Sequence, residues 1–247
     1  MRKYDKRKKN RKLSFKFLKL ITRLRYKKPA FMFLGEEFKD GSIILSNHEG
    51  TDVPMSLEIY CKNYLRFWGN SQMNEGLKKM YKYQSEIYYP VKKGWNKTLS
   101  KLFCLLASPI TNLFYSGLNL ISTYKDIRFT KTLKESIKAL KADESIVIFP
   151  EDSSNGYLPE VEFFYKGFIK LAEYALKKDI NAPIYVMYYK KKERVFVIDK
   201  PVYYKDLLNL GLTEDEISLK FLNRCNELGK MEFSKEEIKK AKKEYYN

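Results

Sequence analysis

The stretch Ser42-Ile43-Ile44-Leu45-Ser46-Asn47-His48-Glu49-Gly50-Thr51-Asp52-Val53-Pro54 decides how this chain folds. Its first four residues form a short apolar run that reads as a buried strand. Pro54 is tolerated in a helix only in the first turn, so a helix starts at Asp52 or Val53 and runs to Cys61. Between the two lies a polar loop holding His48, the only histidine among 247 residues. Strand, loop and helix in that order bring an imidazole to the end of a strand, with a carboxylate four positions on. If the helix begins near His48, positions 48 and 52 share a face. A neutral imidazole can take a proton from an alcohol, and a carboxylate can fix its tautomer. The plainer readings are a hydrogen-bonded histidine at a strand end and an aspartate capping a helix.

A second stretch repeats the arrangement. Ser145 to Phe149 is a strand that runs directly into Pro150-Glu151-Asp152-Ser153-Ser154. The loop extends to Glu162 with an Asn155-Gly156 turn signal, and Lys166-Gly167 follows it. The C-terminal ends of strands are where α/β sheets place their ligands.

Outward from these two stretches, strands and helices alternate, and the fold class is α/β. Strands are expected at Ala30 to Leu34, Tyr64 to Trp68, Ile87 to Val91, Leu118 to Ser122, Pro183 to Tyr189 and Val195 to Ile198. Helices are expected at Asn74 to Tyr83, Lys97 to Tyr115, Thr130 to Ala142 and Tyr165 to Lys178. The tail is helical, with capping boxes at Thr213/Glu216 and Ser234/Glu237. Leu102 to Tyr124 carries no charge, but Pro109, Asn112, Asn119 and Gly117 interrupt it. It reads as a helix ending at Gly117 and then a strand, rather than as a membrane span, with a helix dipping into the membrane face as the alternative.

Hydrophobic residues make up 44% of the chain, enough for a full core. The net charge is +18, and it is concentrated: residues 1–28 hold 14 Lys or Arg and one acid. Within this arm, Leu13, Phe17, Leu20 or Ile21 and Leu24 fall on one helical face over 13–24. A basic amphipathic helix of this kind suits an anionic membrane surface, although any polyanion would be attracted. Cys61, Cys104 and Cys225 form no paired motif, and one histidine cannot complete a His-rich site. No structural zinc, no disulfide framework and a reducing compartment are expected. The broken apolar pattern of the N-terminus does not read as a secretory signal.

Together the two stretches resemble the lysophospholipid acyltransferase family, whose bacterial prototype is 1-acylglycerol-3-phosphate O-acyltransferase. Asn47-His48 with Asp52 is similar to its N-H-x-x-x-x-D motif. Phe149-Pro150-Glu151 is similar to F-P-E-G-T-R, Lys166-Gly167 to the lysine-glycine that follows, and Lys200-Pro201-Val202 to a late G-x-P-I element. The resemblance spans Phe31 to Tyr203. It departs from the family in three places. Three residues separate His48 from Asp52 where the family has four. Asp152, Ser153 and Ser154 replace Gly, Thr and Arg. The arginine of the second motif is missing, with Lys125 the nearest cation.

The resemblance implies a glycerol-3-phosphate-acyltransferase-like mixed sheet flanked by helices. The organisation would be a basic arm over 1–28, an acyltransferase domain over 29–204 and a helical extension over 205–247. It implies His48 as general base, Asp52 as its orienting carboxylate, and Glu151 with Ser153 against the acceptor hydroxyls. Lys166, Gly167 and Lys125 would face anionic groups. The donor would be acyl-CoA or acyl-carrier protein, the acceptor a lysolipid, with no metal and no further cofactor. The enzyme would sit peripherally on the cytoplasmic face of the cell membrane. Replacing Arg by Ser154 leaves acceptor phosphate to Lys125, Arg128 or Lys166, or selects an acceptor without phosphate there. An inactive membrane-associated binding protein and, remotely, a nucleic-acid-binding protein are the alternatives.

Overall fold

The structure is a computed structural model and describes residues 13–152 and 158–247. The described residues open with α1 (Leu13–Arg25), β1 (Ala30–Phe33), β2 (Ile43–Ser46), α2 (Asp52–Tyr60) and β3 (Leu65–Asn70). Two short helices follow, α3 (Ser71–Asn74) and α4 (Leu77–Tyr83), then a π-helix (Gln84–Lys92) and the long α5 (Lys97–Leu118). Next come β4 (Ile121–Thr123), α6 (Phe129–Lys141), β5 (Ser145–Ile148), α7 (Gly167–Leu176), β6 (Pro183–Lys190), β7 (Val195–Ile198) and β8 (Val202–Tyr203). Helices α8 (Tyr204–Asn209), α9 (Glu214–Lys230) and α10 (Lys235–Tyr246) close the chain. Strands in mixed pairing with helices around them make an α/β fold.

The contacts divide the chain into two units: residues 13–22 with 66–132, and residues 23–65 with 133–247. The larger unit carries the mixed sheet. Its strands run in the order β1-β7-β6-β2-β5, and β8 pairs antiparallel with β6. Strand β2 lies parallel to both β5 and β6, and β6 turns back on β7 as an antiparallel hairpin. Ile43, Ile44 and Leu45 are each fully buried, as a strand covered on both faces requires.

The C-terminal helices pack on this sheet rather than standing apart from it. Tyr245 of α10 stacks on Phe31 of β1 with ring centroids 4.2 Å apart. Gly229 of α9 lies against the Tyr188 ring, where a Cβ would come within 2.9 Å. Both expected capping boxes are formed, at Thr213/Glu216 and Ser234/Glu237.

The smaller unit pairs β3 with β4 in parallel, Trp68 opposite Ile121. Helix α1 is held there by Phe15, whose ring meets Phe114 of α5 at 5.2 Å and fills the space left by the missing side chain of Gly117.

Three expectations are corrected in this unit. Ile87 to Val91 is not a strand but part of the π-helix, which continues α4. Its aromatic and branched residues suit a strand, yet packing decides otherwise. Gln84 and Ser85 are buried, Gln84 accepts from Ser108 Oγ at 2.7 Å, and Tyr89 packs on Trp95 at 4.7 Å. Gly117 does not end α5. The helix runs to Leu118 and stops at Asn119, whose φ of 57° is the left-handed conformation that closes helices. The following strand is therefore shorter than expected, Ile121–Thr123. The helix expected at Asn74 to Tyr83 is split, because Gly76 has φ of 94° between α3 and α4. No helix among the described residues is long and apolar enough to cross a membrane.

Candidate functional site

The site is set by the register of two parallel strands. Leu45 of β2 is paired with Ile148 of β5. Three residues beyond each partner stand His48 and Glu151, so the two chains leave the sheet edge side by side with these residues level. The Glu151 carboxylate accepts a hydrogen bond from the backbone N–H of His48. Phe149, between strand and glutamate, packs on the imidazole with ring centroids 4.4 Å apart and planes inclined at 52°.

Asn47 fixes where the histidine begins. It is buried, its Oδ1 accepts the Tyr189 backbone N–H at 2.8 Å, and its Nδ2 donates to the Tyr189 carbonyl at 3.3 Å. The side chain thus continues the pairing of β2 with β6 for one further residue. Gly50, with φ of 58°, turns the chain back, and the Asp52 N–H closes that turn on the Glu49 carbonyl at 3.0 Å. A left-handed residue at this point is what lets the strand pass into α2 within so few residues. Pro54 lies in the first turn of α2, as the sequence requires.

Glu151 is held on its other side. It bridges to Phe164, the Asp152 N–H donates to the Phe163 carbonyl at 3.3 Å, and the Tyr165 N–H donates to the Pro150 carbonyl at 2.7 Å. Both ends of the loop are therefore tied together at its base. Burial pushes the Glu151 carboxyl up to about 7, the His48 N–H acts against that shift, and the nearby Glu49 charge adds to it. Its Oε1 is buried and accepts no hydrogen bond among the described residues. A carboxyl raised this far can donate a hydrogen bond as well as accept one.

The other expected site residues are distributed as follows. The Asp52 carboxylate faces Lys191, with Oδ2 3.2 Å from Nζ, and Glu49 lies 3.3 Å from the same ammonium. Lys166 precedes α7, which begins at Gly167, and its ammonium pairs with Asp215 at 2.6 Å. Lys125 belongs to the smaller unit and is exposed. Ser153 and the Asn155-Gly156 turn lie outside the described residues, as does Ser154. No group of three or more His, Cys, Asp or Glu that could hold a metal ion occurs among the described residues.

Sequence reasoning missed Lys191. It sits in a run of three lysines that begins at the last residue of β6 and reads as a solvated turn. The signal that could have found it is register: Tyr189 pairs with Asn47, so the residue two further on reaches the Glu49–Asp52 turn. Cys225 of α9 was also missed. It is fully buried beneath the loop, its Sγ receives the Asn47 backbone N–H, and it lies 3.6 Å from the Met187 carbonyl to which it donates. Desolvation raises its pKa far above the usual thiol range, which makes it a packing residue and not a nucleophile.

No protein-family model matches the chain, and no curated protein matches it.

Proposed function

We propose that the protein is an O-acyltransferase that moves an acyl group from a thioester donor, acyl-CoA or acyl-carrier protein, to a lipid hydroxyl. The observation that carries this reading is the pairing of His48 with Glu151 at the C-terminal ends of two adjacent parallel strands. It brings the backbone of the chain's only histidine against a carboxyl, so that residue and the Glu151 side chain lie side by side at the sheet edge. In this reading His48 removes the acceptor proton as the hydroxyl oxygen attacks the thioester carbonyl. The C–S bond then breaks, and the thiolate takes the proton back from the imidazolium. Glu151 is the candidate for the acceptor hydroxyls, and its carboxyl also fixes the His48 backbone. Asp52, held by Lys191, sets the charge beside the imidazole loop and is the candidate for orienting the ring.

Lys166 is the candidate for an anionic group of donor or acceptor. Its present partner, Asp215, is largely exposed, and an exposed ion pair is weak enough to be shared with a ligand. Lys125 and Gly167 remain candidates by resemblance. The acceptor that fits best is a lysophospholipid such as 1-acylglycerol-3-phosphate, presented at an anionic membrane surface on the cytoplasmic side. The test supplies labelled acyl-CoA with a panel of lysolipids and plain alcohols, with and without phosphate. The reading requires label in a lysolipid product, and thiol release without any acylated acceptor would refute it.

A further inference from the structure

Helix α5 is amphipathic in the reverse sense of a helix on a water-soluble domain. Ser100, Cys104 and Ser108, spaced four apart, face inward and are completely buried. Leu99, Leu102, Phe103, Leu106, Ile110 and Leu113 form the opposite stripe, at spacings of three and four, and are between 40% and 79% exposed. Water would drive the leucines inward and leave the serines outside. The inward hydroxyls are satisfied instead, Ser108 by Gln84 and Ser100 by the Asn96 carbonyl at 2.9 Å. Small hydrogen-bonding residues on the packed side and large apolar ones outside is the pattern of a helix that meets lipid.

Helix α1 repeats it within the same unit. Phe15 alone is buried, while Leu13, Phe17, Leu20 and Ile21 are between 48% and 84% exposed. Because Phe15 seats against Phe114 and Gly117, the two apolar stripes belong to neighbouring helices. Trp95, two residues before α5, packs on Phe103 at 5.3 Å and stays partly exposed, a place where an indole suits a membrane–water boundary.

We propose that the outward faces of α5 and α1 lie together in the interface of an anionic bilayer, parallel to its plane. Charge selects that occupant. Residues 13–22 and 66–132 hold 13 Lys or Arg and three acids, Glu75, Glu86 and Asp126. Two copies so charged repel each other, whereas an anionic surface attracts each one. The absence among the described residues of a helix apolar enough to cross agrees with a helix lying in the interface. The inference does not depend on the proposed reaction, and its test reads binding alone.

The test compares the full chain with the triple variant Leu102→Glu, Leu106→Glu, Ile110→Glu on vesicles of phosphatidylcholine with phosphatidylglycerol. A second triple variant to Ala at the same positions keeps helix propensity, and circular dichroism checks both folds. Partition is measured in low salt and at about 0.5 M salt, where attraction by the arm alone is screened. The Glu variant should lose at least about tenfold in partition, the Ala variant less, and the difference should persist at high salt. In a Trp68→Phe background, brominated acyl chains should quench Trp95. Unchanged partition of both variants would overturn the proposal, as would Trp95 emission indifferent to brominated lipid. A dimer that the Glu substitutions dissociate without changing vesicle partition would assign the face to a second copy instead.

Discussion

The backbone N–H of His48 donates to the carboxylate of Glu151. This one bond joins two stretches about 100 residues apart in sequence, and the β2/β5 register makes it possible. A shift of that register by one residue would separate the pair and turn the strand faces over. The imidazole is therefore positioned by the sheet and not by its own loop alone.

Asn47 transmits that positioning. Replacing Asn47 by Ala leaves the buried N–H and C=O of Tyr189 without their side-chain partners. The cost is about 2–4 kcal/mol, because two buried backbone groups lose hydrogen bonds together. Urea unfolding should report a lower midpoint with an unchanged slope. A midpoint equal to that of the wild type would show that Asn47 does not hold the loop.

Glu151 makes stability depend on pH in a definite direction. Its carboxyl is raised from 4.5 to about 7 in the folded chain. Between those values the unfolded state releases its proton first, so the contribution of Glu151 to stability falls as pH rises from about 4.5 to 7. Below that window both states are protonated and nothing is lost. Glu151→Gln cannot titrate. Relative to the wild type it should gain about 2 kcal/mol between pH 5 and pH 8, allowing for partial exposure. Unfolding measured at the two pH values checks both sign and size.

Lys191 balances Glu49 and Asp52. Lys191→Gln should cost no more than about 1 kcal/mol, since its ammonium is more than half exposed. The loss should appear in low salt and vanish at about 0.5 M salt, where exposed ion pairs are screened. Equal unfolding midpoints of variant and wild type in low salt would show that Lys191 does not hold the Glu49–Asp52 turn.

Gly117 tests how α1 is anchored. A Cβ there would stand 2.2 Å from the Phe15 ring, so Gly117→Val must displace Phe15. Amide exchange over 13–22 should become faster, while the sheet of the larger unit keeps its protection. Equal exchange in the variant would show that α1 is held by something other than this contact.

What the sequence made legible follows from where packing is decided locally. Ile43-Ile44-Leu45 and Ile146-Val147-Ile148 could be little else than buried strands, and the loops after them followed. Both capping boxes are local bonds over three residues and were readable as such. Ile87 to Val91 was not, because its strand-like composition is overridden by the burial of Gln84 against Ser108, a contact made across 24 residues. Gly117 was misread as a stop because its role is to admit Phe15, a neighbour about 100 residues away. Lys191 was hidden for the same reason: its partners come from another strand. The exposure of the α5 leucines could not be told from a buried stripe, since periodicity gives a face but not which side is covered.

The most direct measurement is acyl transfer by wild type, His48→Ala and Glu151→Gln with labelled acyl-CoA and a lysolipid acceptor, each variant first shown to be folded. The account predicts transfer by the wild type and a loss of about 10²–10⁴-fold in kcat for His48→Ala. Glu151→Gln should raise KM for the acceptor more than it lowers kcat. Full activity of the folded His48→Ala variant would contradict the account.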